Sequence, residues 1–492
     1  MHVDGVKKSM RLNQKKQILE LITTIEEGTD YVINRGASNT TEMMQDCINS
    51  LVFFADLMKE EQKVRSLIEN AIHNFELFID GKGTDLLLKK VKKAIKDIRL
   101  YIINDVKTEI EIAFMPYKSS MWDSLESIYR EAKNDPNCTC YVVPIPYYEK
   151  NEQGEFIKFC YEGNEFPEDI DITLFEMYDF ENRRPDIIYI HNPFDNYNKL
   201  TMVNPRFFSE NLAQYTDMLA YVPYYVAGSS ENKKMNLLPA YKNATKIIVQ
   251  SNNTKEGYIS NGIEPHKIMN LGSPKLDAMI IAKSEQKEIP FYWEQVIKGK
   301  HVILFNTGIA DLLSVDTWFE QTEQVLNSFM DYEQCAFIWR PHPLTEITIK
   351  TMRPHLWATF EKLVSKLKRS PNIIIDNSSD IYPAVTVSDG IISDYSSVML
   401  QYIITGKPVL GLLSEEMSKQ DRYYYSDYLG CYFVNQDVTV SQFVDMVERN
   451  EDLKKEDRVS RFKKSISNAD GTCGKKIHHS IKSEVMQQLS NV

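Results

Sequence analysis

The chain has 492 residues, 43% hydrophobic and 26% charged, with a formal net charge of −12. Its length suits about two to four domains with separate cores, and its acidic balance excludes general nucleic-acid binding, which needs a basic footprint. Seven cysteines without a CxxC pair suit reduced thiols, no stretch reaches the roughly 18 apolar residues of a spanning helix, and the amino terminus lacks a signal core, so the expectation is a cytoplasmic protein.

Residues 1–105 read as helical. Segments 14–27, 40–59, 61–80 and 84–103 are free of proline and apolar at three- and four-residue spacing, with breaks at Gly36 and Gly81-Lys-Gly83, which predicts a bundle or paired hairpins. The last of them sets Lys89, Lys90, Lys92, Lys93, Lys96 and Arg99 against an apolar face. That pattern suits either an anionic membrane surface or a packed helix with a solvated lysine face.

From Ile110 the pattern changes to apolar strands alternating with helices, the signature of an α/β fold with parallel sheets. In a first unit, residues 106–290, strands are predicted at 110–116, 140–148, 185–190, 219–226 and 246–250, with a loop or hairpin over 154–171. A polar stretch, 283–300, connects to a second unit, residues 291–492, with strands at 302–308, 335–339 and 372–376 and a helical tail. Two doubly wound halves place a ligand in the crevice beyond the carboxyl ends of both sheets. Asn306 and Thr307 end one of those strands and are candidate substrate contacts. Asp169-Ile-Asp171 is the one Asp-x-Asp in the first unit; it has no supporting pattern, and neither a metal nor a cofactor is expected.

The chain is organised around residues 388–413. Gly390 to Ile392 is a short apolar strand, Ser393 to Ser397 a cluster of hydroxyls with one carboxylate, Asp394, and Val398 to Ile404 a helix capped by Gly406. Serines at a helix start leave N–H groups and hydroxyls aimed at one spot where the dipole favours an anion. The simpler role of Ser393 or Ser396 is to cap the helix.

Together with Arg340-Pro-His-Pro343 and Gly406-Lys-Pro408, the run Ser388-Asp-Gly-Ile-Ile-Ser-Asp-Tyr-Ser-Ser397 resembles the CDP-glycerol:polyol-phosphate glycerophosphotransferases, which prime and polymerise teichoic acids and build related capsules. Leu271-Gly-Ser-Pro-Lys-Leu-Asp277 is similar to the family's Gly-x-Pro-Arg-x-Asp element, with Lys275 for arginine, and Asn468-Ala-Asp-Gly471 to its Asp-Gly segment. The resemblance implies a GT-B architecture, two Rossmann-like domains facing a cleft, here preceded by the helical region. It further implies a CDP-glycerol or CDP-ribitol donor, an acceptor that is a polymer or a lipid-linked saccharide, and an inner-membrane-face location. By the same carry-over His342, Ser396 and Ser397 contact the donor phosphates, with Arg340 close by.

One departure matters. The family carries a Trp-His-Gly-Thr element whose histidine is the catalytic base, and the equivalent strand end here, Tyr221-Val-Pro-Tyr-Tyr-Val-Ala-Gly228, has none. His191, just past a buried strand, is the candidate replacement, with Asp195 to fix its tautomer. Tyr224 and Tyr225 are weaker candidates, because a phenol near pKa 10 is a poor base. Rival readings are a GT-B sugar-nucleotide glycosyltransferase, a nucleotide-sugar 2-epimerase, and a non-catalytic scaffold with a vestigial cleft.

Overall fold

Apolar spacing closes a helical layer first. The computed structural model describes residues 9–491 except 36–39, 59–61, 82–84, 152, 227–236, 285–287, 379, 395, 413–429 and 435; the predicted breaks at Gly36 and at Lys82 and Gly83 lie outside the described residues. Helices α1 (Leu12–Arg35), α2 (Thr41–Leu57), α3 (Gln62–Ile79) and α4 (Asp85–Asn104) share a core that includes Ile22, Leu51, Phe75, Val91 and Ile98. The apolar face of α4 is therefore buried inside the layer, while Lys89, Lys90, Lys93 and Lys96 face solvent. Two further basic groups of this helix tie it to α1, Lys92 to Asp30 at 2.6 Å and Arg99 to Glu26 at 3.0 Å. Buried Lys15 links the layer to the sheet below: its Nζ donates to the Ile103 and Val106 carbonyls at 3.3 and 2.9 Å, satisfying backbone at and just beyond the end of α4.

The first sheet is parallel and, among the described residues, seven-stranded. Strands β1 (Ser9–Arg11), β2 (Lys107–Met115), β6 (Ile187–Ile190), β8 (Met218–Tyr221), β9 (Lys246–Val249) and β10 (Ile268–Asn270) follow in that order, and β3 (Cys138–Val142) also pairs with β2. The run predicted as one strand over 140–148 is split. Pro144 and Pro146 cannot donate to a ladder; Val143 and Ile145 still donate to Phe114 and Pro116. The chain then leaves the sheet and enters a separate antiparallel flap of β4 (Tyr147–Lys150), β5 (Phe156–Cys160) and β7 (Thr201–Val203). Part of the irregular 154–171 stretch is thus the second strand of a hairpin.

The second sheet is also parallel, ordered β13 (Ile373–Ile375), β12 (Cys335–Pro341), β11 (His301–Thr307), β14 (Gly390–Ser393), β15 (Val409–Gly411) and β16 (Tyr432–Phe433). Each sheet is flanked by helices, giving two Rossmann-like domains in the GT-B arrangement. The polar connection between them is not a free linker, because helix Phe291–Ile297 buries Trp293 in the second domain's core.

The last helix, Cys473–Gln487, returns to the first domain, where Ile477, Ile481 and Val485 join Ile112, Phe114 and Leu125 in one core. Asp277 makes the crossing possible: its carboxylate accepts from the N–H groups of Cys473 and Gly474 at 3.1 and 2.8 Å, satisfying buried donors that the helix start leaves without an intrahelical partner. The two motifs that end in Asp277 and Gly471 are therefore spatial neighbours, and Asn468 closes the contact by donating to the Leu271 carbonyl at 2.9 Å.

Candidate active site

Three strands of the second sheet end side by side and bring most of the predicted residues to one edge. Asn306 and Thr307 end β11, Arg340 and His342 lie at the end of β12, Ser393 ends β14, and Asp394, Ser396 and Ser397 follow it. Asn306 organises this edge: its Nδ2 donates to the hydroxyls of Ser393 and Ser396, both at 3.0 Å. Ser396 is the N-cap of helix Ser397–Tyr402, its hydroxyl accepting from the Met399 N–H at 3.4 Å, so the capping role is real. Ser397 is half-buried at the first helical position, and Tyr395 lies outside the described residues.

Several of these side chains support the edge without facing it. Ser393 is fully buried and donates to the Asp394 carbonyl at 2.8 Å, which leaves it unable to touch a substrate. Asp394, 5% exposed, accepts from the Gly308 N–H, and its other carboxylate oxygen is buried without a partner among the described residues. Burial pushes this carboxyl up to about 7. A Cβ at position 308 would stand 3.1 Å from that oxygen, so a glycine suits the contact. Thr307 is buried and accepts from the Trp339 indole at 3.3 Å. Arg340 does not offer its guanidinium to a ligand: it is paired with Asp376 and donates to the Ser378 carbonyl at 2.7 Å and the Asp380 carbonyl at 3.2 Å. It braces the loop after β13.

His342 is different. Its main chain is fixed by a hydrogen bond from its N–H to the Thr307 carbonyl at 2.8 Å, and its Nδ1 accepts from the Leu344 N–H at 3.1 Å. An accepting Nδ1 puts the ring proton on Nε2, which becomes a donor. Burial and then the charges of Lys118 and Arg340 hold the ring down to about 4, so it is neutral near pH 7.

The first domain supplies the facing wall, and here the structure corrects the expected base. His191 is fully buried, its Nε2 accepts from the Tyr117 N–H at 2.7 Å, and its Nδ1 lies 2.9 Å from the Ser124 hydroxyl, which in turn donates to Met121. Its lone pair is occupied by a backbone amide, and burial with the nearby Lys275 charge lowers it to about 3. It holds the 117–124 loop and cannot take a proton from an acceptor. Asp195 does not orient it either, since that carboxylate accepts from the N–H and hydroxyl of Ser209 at 2.9 and 2.7 Å. Lys275, expected at the substrate, is buried against Asp123 with its Nζ 2.5 and 2.7 Å from the two carboxylate oxygens. The tyrosines remain poor bases: burial pushes Tyr224 up to about 12, and Tyr225 shares its hydroxyl with Tyr241 at 2.7 Å. Residues 227 and 228 of that element lie outside the described residues.

Two groupings with metal-ligand residue types have other partners. Asp169 and Asp171 pair with Arg130 and Lys133, each at 2.9 Å. Asp135, near Cys138 and His478, already carries Lys482 on the carboxylate oxygen that the imidazole meets at 3.0 Å.

Sequence reasoning missed a lysine of the first domain whose charge bears on His342. Lys118 follows the carboxyl end of β2 and donates to the Tyr147 hydroxyl at 3.1 Å, with Glu162 at 3.8 Å. A lone lysine in Met-Pro-Tyr-Lys carries no pattern to find it by.

A family model described as CDP-Glycerol:Poly(glycerophosphate) glycerophosphotransferase matches residues 222–483, more than half of the 492 residues. The chain belongs to this family. The glycerophosphotransferase match contains the whole second wall and Lys275 but begins after the loops that carry Lys118 and His191. No curated protein sequence matches the chain. Among solved structures, it is similar to a putative UDP-N-acetylglucosamine 2-epimerase from Listeria monocytogenes, at 15% identity and a TM-score of 0.49, covering 77% of this chain and 97% of that one. It is also similar to the wall teichoic acid polymerase TagF, at 13% identity and a TM-score of 0.49, covering 86% of this chain and 99% of that one. The glycerophosphotransferase has no helix, among its described residues, long and apolar enough to cross a membrane.

Proposed function

We propose that this glycerophosphotransferase moves glycerol phosphate, or ribitol phosphate, from a CDP-activated donor to a hydroxyl of a cell-wall or capsule polymer or its lipid-linked precursor. The acceptor oxygen bonds to the β-phosphorus, the bond from that phosphorus to the oxygen bridging it to CMP breaks, and CMP leaves with the electron pair. The observation that carries the reading is the fixed tautomer of His342, whose Nε2–H is a neutral donor at the same sheet edge as Ser396 and Ser397. Charge that accumulates on the phosphate oxygens and on departing CMP is stabilised by such positioned donors.

A loose phosphoryl transition state forms little bond to the nucleophile, so the acceptor proton is released late and passes to a phosphate oxygen of the substrate. This fits a site in which His191 is sequestered and the tyrosines are weak bases. The reaction belongs in the cytoplasm at the inner membrane face, with the lysines of α4 available to an anionic surface.

The test is CMP release from CDP-glycerol, CDP-ribitol and, as control, UDP-N-acetylglucosamine with a lipid-linked acceptor. CMP formed from either CDP-polyol supports the reading. Turnover of the UDP-sugar alone overturns it.

A further inference from the structure

Lys118 follows the carboxyl end of β2 as His342 follows the carboxyl end of β12, so each domain brings one nitrogen group to the carboxyl edge of its sheet. The lysine charge bears on the imidazole, together with that of Arg340, and the loop that carries Lys118 is tied to the second domain where the Tyr382 hydroxyl donates to Asp123 at 2.6 Å. Arg340 is neutralised by Asp376, which leaves Lys118 as the cation whose partner has to be accounted for.

Its nearest acidic group does not account for it. Glu162 is held without the lysine: one oxygen accepts from the Ser119 N–H and hydroxyl at 2.8 and 3.0 Å, the other from the Tyr147 hydroxyl at 2.6 Å. The ammonium lies 3.8 Å from that carboxylate, beyond hydrogen-bond range, with its side chain 12% exposed. What holds it is softer, a 3.1 Å bond to Tyr147 Oη and a position 4.5 Å from the centre of the Tyr147 ring. An ammonium has three protons to give, and among the described residues one of them makes a direct bond. A half-buried cation whose charge bears on an imidazole is unfavourable until an anion joins them.

We propose that Lys118 is a phosphate ligand contributed by the first domain, resting on Tyr147 and meeting the same diphosphate as His342, so that both domains grip the donor. The inference deepens the CDP-donor reading and rests on it for the identity of the ligand. It assigns the 116–119 turn, braced from behind by the bond from the Tyr117 N–H to His191, a substrate-positioning task. The flap strand β4 acquires a purpose too, because Tyr147 parks the lysine.

Calorimetric titration of the full chain with CDP-glycerol and, separately, with inorganic pyrophosphate tests this. For Lys118→Met the expected result is a loss of roughly tenfold or more in CDP-glycerol affinity with an unchanged melting temperature. Lys118→Arg should recover most of it, and Glu162→Gln should bind no more weakly than the parent, since a carboxylate 3.8 Å from the ammonium makes no hydrogen bond to it and its charge only opposes an incoming anion. A structural role for the pair predicts the opposite for Glu162→Gln, weaker binding and a lower melting temperature. Lys118→Met binding CDP-glycerol within about threefold of the parent overturns the inference while leaving the donor reading standing. Pyrophosphate binding that depends on Lys118, in a protein that ignores CDP-glycerol, upholds the anion site and overturns the donor instead. If the parent binds neither probe, both fall.

Discussion

Tyr382 of the second domain donates its hydroxyl to Asp123 of the first at 2.6 Å, across 259 positions of sequence. The same carboxylate holds Lys275, with side-chain exposures of 8% and 10% for the lysine and the aspartate. One largely covered carboxylate thus locks the loop braced by His191 to both the Gly-Ser-Pro-Lys helix and the second domain.

Breaking this lock should be costly in proportion to the charge left behind. Lys275→Met strands a largely covered carboxylate and is expected to destabilise by about 3–5 kcal/mol, whereas Tyr382→Phe removes one hydrogen bond to a charged group, about 1.5–3 kcal/mol. Urea unfolding of the two variants and their combination checks it. Strictly additive effects would show that the three groups do not act as a unit.

His191 should matter for acid stability more than for turnover. Its ordinary pKa of 6.5 falls to about 3 in the fold. Between those values the unfolded chain binds a proton that the native one refuses, so the stability this group permits is complete above 6.5 and is lost as the pH falls towards 3. Asp186, Asp195 and Asp394, raised to about 6, 6 and 7, act with the opposite sign. The readout is therefore a difference: His191→Gln, whose amide can still accept from Tyr117, should show a shallower fall in melting temperature below pH 6.5 than the parent. Its CMP release at neutral pH should stay within about threefold, against the roughly 10²–10⁴-fold loss that removal of a general base brings.

For His342 the expected signature is a titration moved by ligand. In the free protein the ring titrates near 4; a bound diphosphate favours the imidazolium and should raise that value. Histidine resonances followed by NMR with and without CDP-glycerol, assigned through His342→Gln, give the answer. A ring that titrates identically in both states does not touch the donor phosphates.

The two serines should separate. Ser396 caps its helix, so Ser396→Ala is expected to cost about 1 kcal/mol of stability and to lower the melting temperature. Ser397 has no capping role, and Ser397→Ala should leave the melting temperature in place and weaken donor binding. Equal affinity in the Ser397 variant and the parent would remove that hydroxyl from the site.

What was legible in the sequence was the part written in periodicity and punctuation. The strand, the serine-capped helix start and the glycine cap over 390–406 stand as read, with the helix tightening to a 3-10 turn over Ile403–Thr405 and Tyr395 outside the described residues, because each step has its own local signal, down to the left-handed Gly406 at φ 75°. The split of 140–148 is a tertiary matter, decided by which ladder two prolines interrupt. His191 shows a sharper limit. The end of a strand fixes that a residue sits at the sheet edge, but whether the ring turns to the cleft or under the next loop depends on an amide from Tyr117, far away in sequence. Arg340 and Lys275 misled for a related reason: a cation in a motif looks like a ligand group until its carboxylate partner, Asp376 or Asp123, is known. The destination of the last helix could not be read from its own composition.

That helix has a consequence for how the protein is made. The core that contains Phe114 and Leu125 also needs Ile477, Ile481 and Val485, and at Gly474 the fit is so tight that an added Cβ would stand 2.4 Å from the Ser127 main chain. On the ribosome the second domain therefore has all its strands available while the first still lacks a piece of its interior. The domain synthesised first is the one completed last, and a premature stop after residue 472 would injure the half of the molecule that had been translated hundreds of codons earlier.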